Sequence, residues 1–187
     1  DDDNMPDGWE VNNSLNPLSS SDSSTDLDSD TYSNLIEYVH SSDPNDIFDE
    51  PGVMTIAVPA DISAIQTAID WSIDGDTIEI APGYYYECLD FNGKAITVKG
   101  RAPDNWETVE KTLIHWTNPI LATLTFDSGE TSSSIVTGVS LLSSPYGVIC
   151  DNSSSPTIKK CVIRNNDTGI YCKSGSPLIS QNMVFEN

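Results

Sequence analysis

Residues 154–166, SSPTIKKCVIRNN, align with residues 175–187, GSPLISQNMVFEN, at an offset of 21, and GVIC at 147–150 aligns with GIYC at 169–172 at an offset of 22. A repeat this short holds one or two small strands and an Asn/Gly/Ser corner. It has no second layer against which to bury its own apolar face, and stacking on its neighbours supplies one. Strands stacked in this way run parallel, about 4.8 Å apart. At that period residues 53–187 make roughly six coils.

The stretch before the clear repeats fits the same plan. DISAIQTAIDWSI at 61–73 places Ile62, Ile65, Ala68 and Ile69 on one helical face, with Asp61 as its N-cap. A turn, a strand at Thr77–Ile80, a Pro-Gly turn, an Asn-Gly turn and a strand at Ile96–Lys99 follow. One convincing helix and only short strands in this domain argue against repeated βαβ units. Stacked coils put Ile149, Ile158, Val162 and Ile170 in the core, with Ile179 and Val184 continuing the rows. Cys150 and Cys172 fall at equivalent positions, and Cys161 is equivalent to Asn182. A disulfide or metal pair competes there with a ladder of small buried side chains. The ladder is favoured, because directly stacked strand positions rarely offer disulfide geometry.

Charge divides the chain. Of 29 acidic and 8 basic residues, 21 acids and no Lys or Arg lie before Lys94, so the net charge of −21 belongs to the front half. No basic stripe is present to neutralise phosphates, which argues against nucleic acid. No apolar run is long enough for a membrane span, which argues against membrane insertion. Composition shifts near residue 50, giving an acidic module at 1–50 and a β-rich domain at 51–187. The chain opens on DDDN without an initiator Met and stops on NMVFEN. The expectation is of a processed or excised segment, with further coils removed or an open end stacked on another molecule.

The acidic module has an internal order. With Asp26 as position 1 of a twelve-residue cation loop, Asp28 and Asp30 fall at positions 3 and 5, the Tyr32 carbonyl at 7, Asn34 at 9 and Glu37 at 12. DDDNMPDGWE repeats the register, with Asp1, Asp3, the Met5 carbonyl, Asp7 and Glu10 at positions 3, 5, 7, 9 and 12. Its position 1 lies before the first residue, unless water or Asp2 substitutes. The closing glutamates are 27 residues apart. Oxygen ligands without His or Cys point to calcium rather than zinc. Position 6, which favours Gly, holds Asn4 and Thr31, and Thr31 brings backbone strain. An acidic, Ser-rich linker is the competing account, and SSSDSSTD at 19–26 suits it.

These loops, with the spacer LNPL and the tail SSDPND, resemble bacterial thrombospondin type 3-like calcium repeats over residues 1–47. The resemblance implies an extracellular, calcium-stabilised spacer carrying its ligands at the residues just named. The block AIQTAIDWSIDGDTIEIAPGYYYECLDFNGKAITVKG, followed by SSPTIKKCVIRNNDTGIYC, resembles the N-terminal cap and coils of pectin-lyase-like proteins over residues 54–187. It implies an all-β fold: a right-handed parallel β-helix whose helix at 61–73 caps one end.

Function is less constrained. Asp90, Lys94, His115, Asp127, Glu130, Asp151, Arg164, Asp167 and Lys173 are the chemically able groups, with no convergent catalytic set among them. Asp151 and Lys173, 22 apart, are expected to pair across adjacent coils. Tyr84, Tyr85, Tyr86, Trp106 and Trp116 can stack on sugars, although strand alternation turns at least one of the three tyrosines inward. The expected role is a secreted or cell-surface structural or adhesive protein, with a homo-oligomer or filament and a polysaccharide as possible partners. The alternative is a fragment of a secreted polysaccharide lyase or hydrolase.

Overall fold

The computed structural model describes residues 1–116 and 122–187, which form two compact units, Asp1–Met54 and Thr55–Asn187. The first unit carries two short helices, α1 (Asp7–Asn12) and α2 (Asn34–His40), with a 3₁₀ turn at Asp22–Ser24. Ser33 caps α2, its hydroxyl accepting from the Ile36 N–H, and Ser41 ends the helix in a left-handed conformation. The Trp9 and Tyr38 rings meet edge to face at 5.2 Å, joining the two halves of the unit.

The second unit is a parallel β-helix of about six turns. One sheet stacks β1 (Thr55–Val58), β2 (Thr77–Ile80), β5 (Thr97–Gly100), β8 (Ile135–Thr137), β11 (Thr157–Lys159) and β14 (Leu178–Ser180). A second stacks β3 (Gly83–Tyr85), β6 (Thr112–His115), β9 (Ser140–Leu142), β12 (Val162–Arg164) and β15 (Met183–Phe185). The third stacks β4 (Leu89–Asp90), β7 (Ala122–Phe126), β10 (Tyr146–Cys150) and β13 (Thr168–Cys172). From β2 onward the chain visits the three sheets in constant order. The strand registers reproduce the repeat offsets, with Ile158 beside Ile179 and Cys150 beside Cys172.

Each sheet sends columns of side chains inward. Ile56, Ile78, Val98, Val136 and Ile158 form one, Ile114, Leu141 and Ile163 another, and Leu89, Leu124 and Val148 the third, all essentially inaccessible to water. β-Branched residues dominate the first because they pack well on a pleated surface. Ile179 and Val184 continue their columns but are 44% and 49% exposed, since no later strand covers them among the described residues. One expected core residue faces the other way. Ile149 pairs with Thr125 and Tyr171 on the outer surface, while Val148 and Cys150 point inward. Side chains alternate between the two faces of a strand, so the true inward set is one residue away from Ile149. Cys150 and Cys172 extend the Phe126 column, and all four cysteines are free thiols. Burial pushes the Cys161 thiol up to about 11.

The capping helix α3 (Ile65–Trp71) starts later than expected. Its buried Ile65, Ala68 and Ile69 pack against β1, β2 and β4. Asp61 is not its N-cap: that carboxylate accepts from the Ala57 N–H of β1, and Ile62 lies outside the helix. The free N–H groups of Ile65 and Gln66 donate instead to the two Glu87 oxygens, at 3.0 and 2.8 Å. At the other end Lys94 Nζ donates to the carbonyls of Ile69, Asp70 and Ser72 at 2.6–2.8 Å. A cation on the final carbonyls suits the helix dipole. We expect Lys94→Met to lower the stability of the solenoid by about 2 kcal/mol, measured by thermal unfolding, because three carbonyls lose a charged donor.

The segment after β5 leaves the coil, forms α4 (Trp106–Val109) and returns to β6. It lies against Gly138, which has φ +70°; a Cβ there would sit 2.5 Å from Pro103. The matching corners at Lys160 and Gln181 also take positive φ, so the bend is a feature of the coil itself.

Candidate metal centre

The 27-residue register of the acidic unit holds in its backbone. The Met5 N–H donates to Asp3 Oδ1 at 2.9 Å, as Tyr32 N–H does to Asp30 Oδ1 at 2.8 Å. Leu15 N–H donates to the Glu10 carbonyl and Ser42 N–H to the Glu37 carbonyl. Asn16 N–H donates to Asp22 Oδ2 at 2.9 Å, and Asp43 N–H to Asp49 Oδ2 at 3.0 Å. The repeat therefore runs past its closing glutamates, to Asp22 and Asp49.

Two carboxylate clusters result. Asp1, Asp3, Glu10 and Asp22 each contribute an oxygen to a group whose members lie within 4.8 Å of one another, and Asp26, Asp28 and Asp30 form a second such group. Asp28, Asp30 and Asp26 are also the leading charges acting on Glu37. Glu10 and Glu37 are fully buried, and neither oxygen of either carboxylate has a hydrogen-bond partner. Asp3 Oδ2 and Asp22 Oδ1 in the first cluster, and Asp28 Oδ2 and Asp30 Oδ2 in the second, are equally bare. The four buried, unpartnered carboxylate oxygens of the first cluster, and the four of Asp28, Asp30 and Glu37, are expensive without a cation to offset them.

The titration behaviour reflects the crowding. Burial first, then Asp3, Asp22 and Asp7, raises Glu10 above the ordinary carboxylate range. Burial, then the charges of Asp28, Asp30, Asp26 and Asp43, pushes Glu37 up to about 7. Between the ordinary carboxyl value and 7 the folded unit therefore binds more protons than the unfolded chain. With cations chelated, the Asp1–Met54 unit should become more stable as pH falls from 7 towards 4.5, followed by far-UV circular dichroism in urea. Cation affinity should run the other way, weakening as the carboxyls protonate.

The remaining expected ligands take varied places. Asp26 fastens the second loop by accepting from Ser29 and Thr31 N–H groups at 2.7 and 2.9 Å. Met5 is buried and Tyr32 half-buried, each tied through its N–H to the preceding aspartate. Asp7 is exposed at the start of α1, outside the first cluster. Asn34 is fully buried, and its amide is spent on protein: it donates to the Asp22 carbonyl and Thr25 Oγ1 and accepts from Leu27 N–H. Position 6 is left-handed in both loops, with φ +75° at Asn4 and +93° at Thr31. Thr31→Gly should relieve a β-branched residue held there and gain about 1 kcal/mol in chemical denaturation.

Asp22 was missed because it lies beyond the loop pattern. The signal is present in sequence: NPLSSSD at 16–22 and DPNDIFD at 43–49 share an Asn/Asp-Pro start and an Asp six residues on.

No family model, curated protein or solved structure matches this chain.

On the solenoid, the candidate groups serve the fold. Lys173 Nζ lies 3.5 Å from Asp151 on the adjacent turn, and Ser174 Oγ donates to the same carboxylate at 2.6 Å, which lowers its pKa. Glu130 is buried and accepts from Gly93 N–H, Ser128 N–H and Ser154 Oγ, tying neighbouring turns. His115 packs edge-on to Tyr86, with centroids 5.4 Å apart. Asp90 is half-buried and raised, chiefly by desolvation. Tyr85 turns inward with its hydroxyl on the Ala81 carbonyl, while Tyr84 and Tyr86 face solvent. Trp106 lines a shallow cleft of about 520 Å³ with Pro103, Asp104, Lys160, Gln181 and Met183.

Proposed function

We propose that this chain belongs to an extracellular structural or adhesive protein, in which a calcium-stabilised acidic unit accompanies a stiff parallel solenoid. The observation that carries the reading is the set of buried, unpartnered carboxylate oxygens: those that gather around Glu10, and those of Asp28, Asp30 and Glu37 in the second repeat. Hard oxygen donors without nitrogen or sulfur suit calcium, whose flexible shell accepts six to eight oxygens; four bare carboxylate oxygens leave room for a backbone carbonyl or water. Calcium at the millimolar level of extracellular fluids can fill such sites even at modest affinity. Calorimetric titration of the calcium-stripped chain tests this directly. Two calcium ions per chain with little response to magnesium is the expected result, and no uptake at millimolar calcium overturns it.

Assembly is part of the same proposal. Among the described residues, no strand pairs with the outer edges of β14 and β15, where Ile179 and Val184 are partly exposed, and such edges suit parallel pairing with further strands. A second copy adding end to end would give a filament. Electron microscopy and size analysis, with millimolar calcium and again with chelator, decide it; a monodisperse monomer in both retires the filament.

One observation favours a second, glycan-binding reading. The Trp106 cleft sets a partly exposed indole beside the Asp104–Lys160 ion pair, at the excursion between β5 and β6. Saturation of Trp106 fluorescence changes by neutral oligosaccharides, absent in Trp106→Ala, would support it.

A further inference from the structure

We infer that Asn34 is a positioning residue that couples the two carboxylate clusters, holding Asp22 in the first cluster so that this site is complete only when the second repeat is folded. The inference rests on the cation reading above and adds to it a dependence between the two sites.

Asp22 belongs to neither loop; it lies in the segment that joins them. Its Oδ2 is fixed by the Asn16 N–H at 2.9 Å, and its Oδ1 is left buried and unpartnered within the first cluster. The main chain beneath it is held by the second repeat. Asn34 Nδ2 donates to the Asp22 carbonyl at 2.8 Å and to Thr25 Oγ1 at 3.1 Å, and Asn34 Oδ1 accepts from Leu27 N–H at 3.2 Å. The Asn34 N–H adds a bond to the Thr25 carbonyl at 2.8 Å. One fully buried side chain thus closes residues 22–27 onto the first turn of α2. Three residues later the same helix carries the buried, bare carboxylate of Glu37. Asp7, the counterpart of Asn34 in the first repeat, is exposed, so the device belongs to the second repeat alone.

A cation drawn to Glu37 and its three aspartates fixes the start of α2, and with it Asn34 and the Asp22 main chain. The first site then finds its fourth carboxylate already in place. Coupling of this kind is reciprocal, so filling either site strengthens the other by the same factor.

The test is calcium titration of the full, calcium-stripped chain by calorimetry, with Glu10→Gln and Glu37→Gln assigning the two sites. The expected wild-type result is a Hill coefficient above 1, and each glutamine variant weakens the surviving site by the same factor, on the order of 10-fold. Asn34→Asp is the decisive variant. Its carboxylate keeps the shape but cannot donate to the Asp22 carbonyl, so first-site affinity should fall about 10-fold and cooperativity should vanish. A direct ligand at position 9 would behave oppositely, tightening the second site and sparing the first, which would overturn the inference. Asp22→Asn preserves the backbone contacts and gives a second route should Asn34 variants fail to fold. It must weaken the first site, and an unchanged first site overturns the inference. A wild-type chain that takes up no calcium overturns the cation reading itself. Two calcium ions bound independently, unmoved by Asn34→Asp, overturn the coupling alone.

Discussion

If calcium fills the proposed sites, its removal is expected to unfold the Asp1–Met54 unit and to leave the unfolding of Thr55–Asn187 where it was. The two units are separately compact, and the unpartnered carboxylates all lie in the first. A site held at one hundred times its dissociation constant adds about 2.7 kcal/mol, so two sites contribute about 5 kcal/mol, comparable to the whole stability of a small unit. Far-UV circular dichroism and limited proteolysis, in millimolar calcium and in chelator, read this out. Cleavage within residues 1–54 should appear only in chelator; identical patterns in both would sink the expectation. Glu37→Gln sharpens it, because its two effects have opposite signs. It removes a buried negative charge whose pKa three aspartates and burial have pushed up to about 7, so the chelated unit becomes more stable. It also removes a ligand, so about half of the calcium-dependent gain is lost.

Phe126→Ala costs the solenoid about 3–5 kcal/mol, the largest effect expected of one truncation there. Phe126 is fully buried and its ring packs at a tilt against Phe91, with centroids 4.6 Å apart, one turn below, and Cys150 is next in the column. Cys150 is too small to fill the hole, and the strands on either side cannot close on it without breaking their registers. A unit of this size should melt roughly 10 °C lower. Ile149→Ala is the control: on the outer face it should cost about 1 kcal/mol or less. Equal losses for the two would refute the inward and outward assignment of β7 and β10.

Much of the solenoid was legible because its constraints are local and repeated. The 21- and 22-residue offsets return as strand registers, the strand at Thr77–Ile80 has the expected bounds, and Asp151 does pair with Lys173. What failed depended on partners far along the chain. The start of α3 was misplaced because its N-terminal groups are satisfied by Glu87, some twenty residues on, rather than by Asp61 nearby. Ile149 was turned inward because a short strand of apolar residues, YGVIC, has no polar alternation to fix its phase. In the acidic unit, loop spacing named Asp1, Asp3, Met5, Asp7 and Glu10 as one set and Asp26, Asp28, Asp30, Tyr32, Asn34 and Glu37 as another; of the carboxylates, Asp1, Asp3 and Glu10 gather, as do Asp26, Asp28 and Asp30, while Asp7 stays outside the first cluster. It could not place Asp22, which arrives from outside the loop.

By itself the sequence determined the stacking of short parallel coils, since a period of 21 or 22 residues leaves no other way to bury its apolar face. It also determined that the acidic front would gather carboxylates in two sets, because alternate aspartates closed by a glutamate recur at one spacing. Only the tertiary structure decided which face of each strand is inside, what caps α3, and that Asp22 rather than Asp7 joins the first cluster. Those outcomes depend on which distant group meets an unsatisfied donor, acceptor or charge, and that is fixed only when the chain closes on itself.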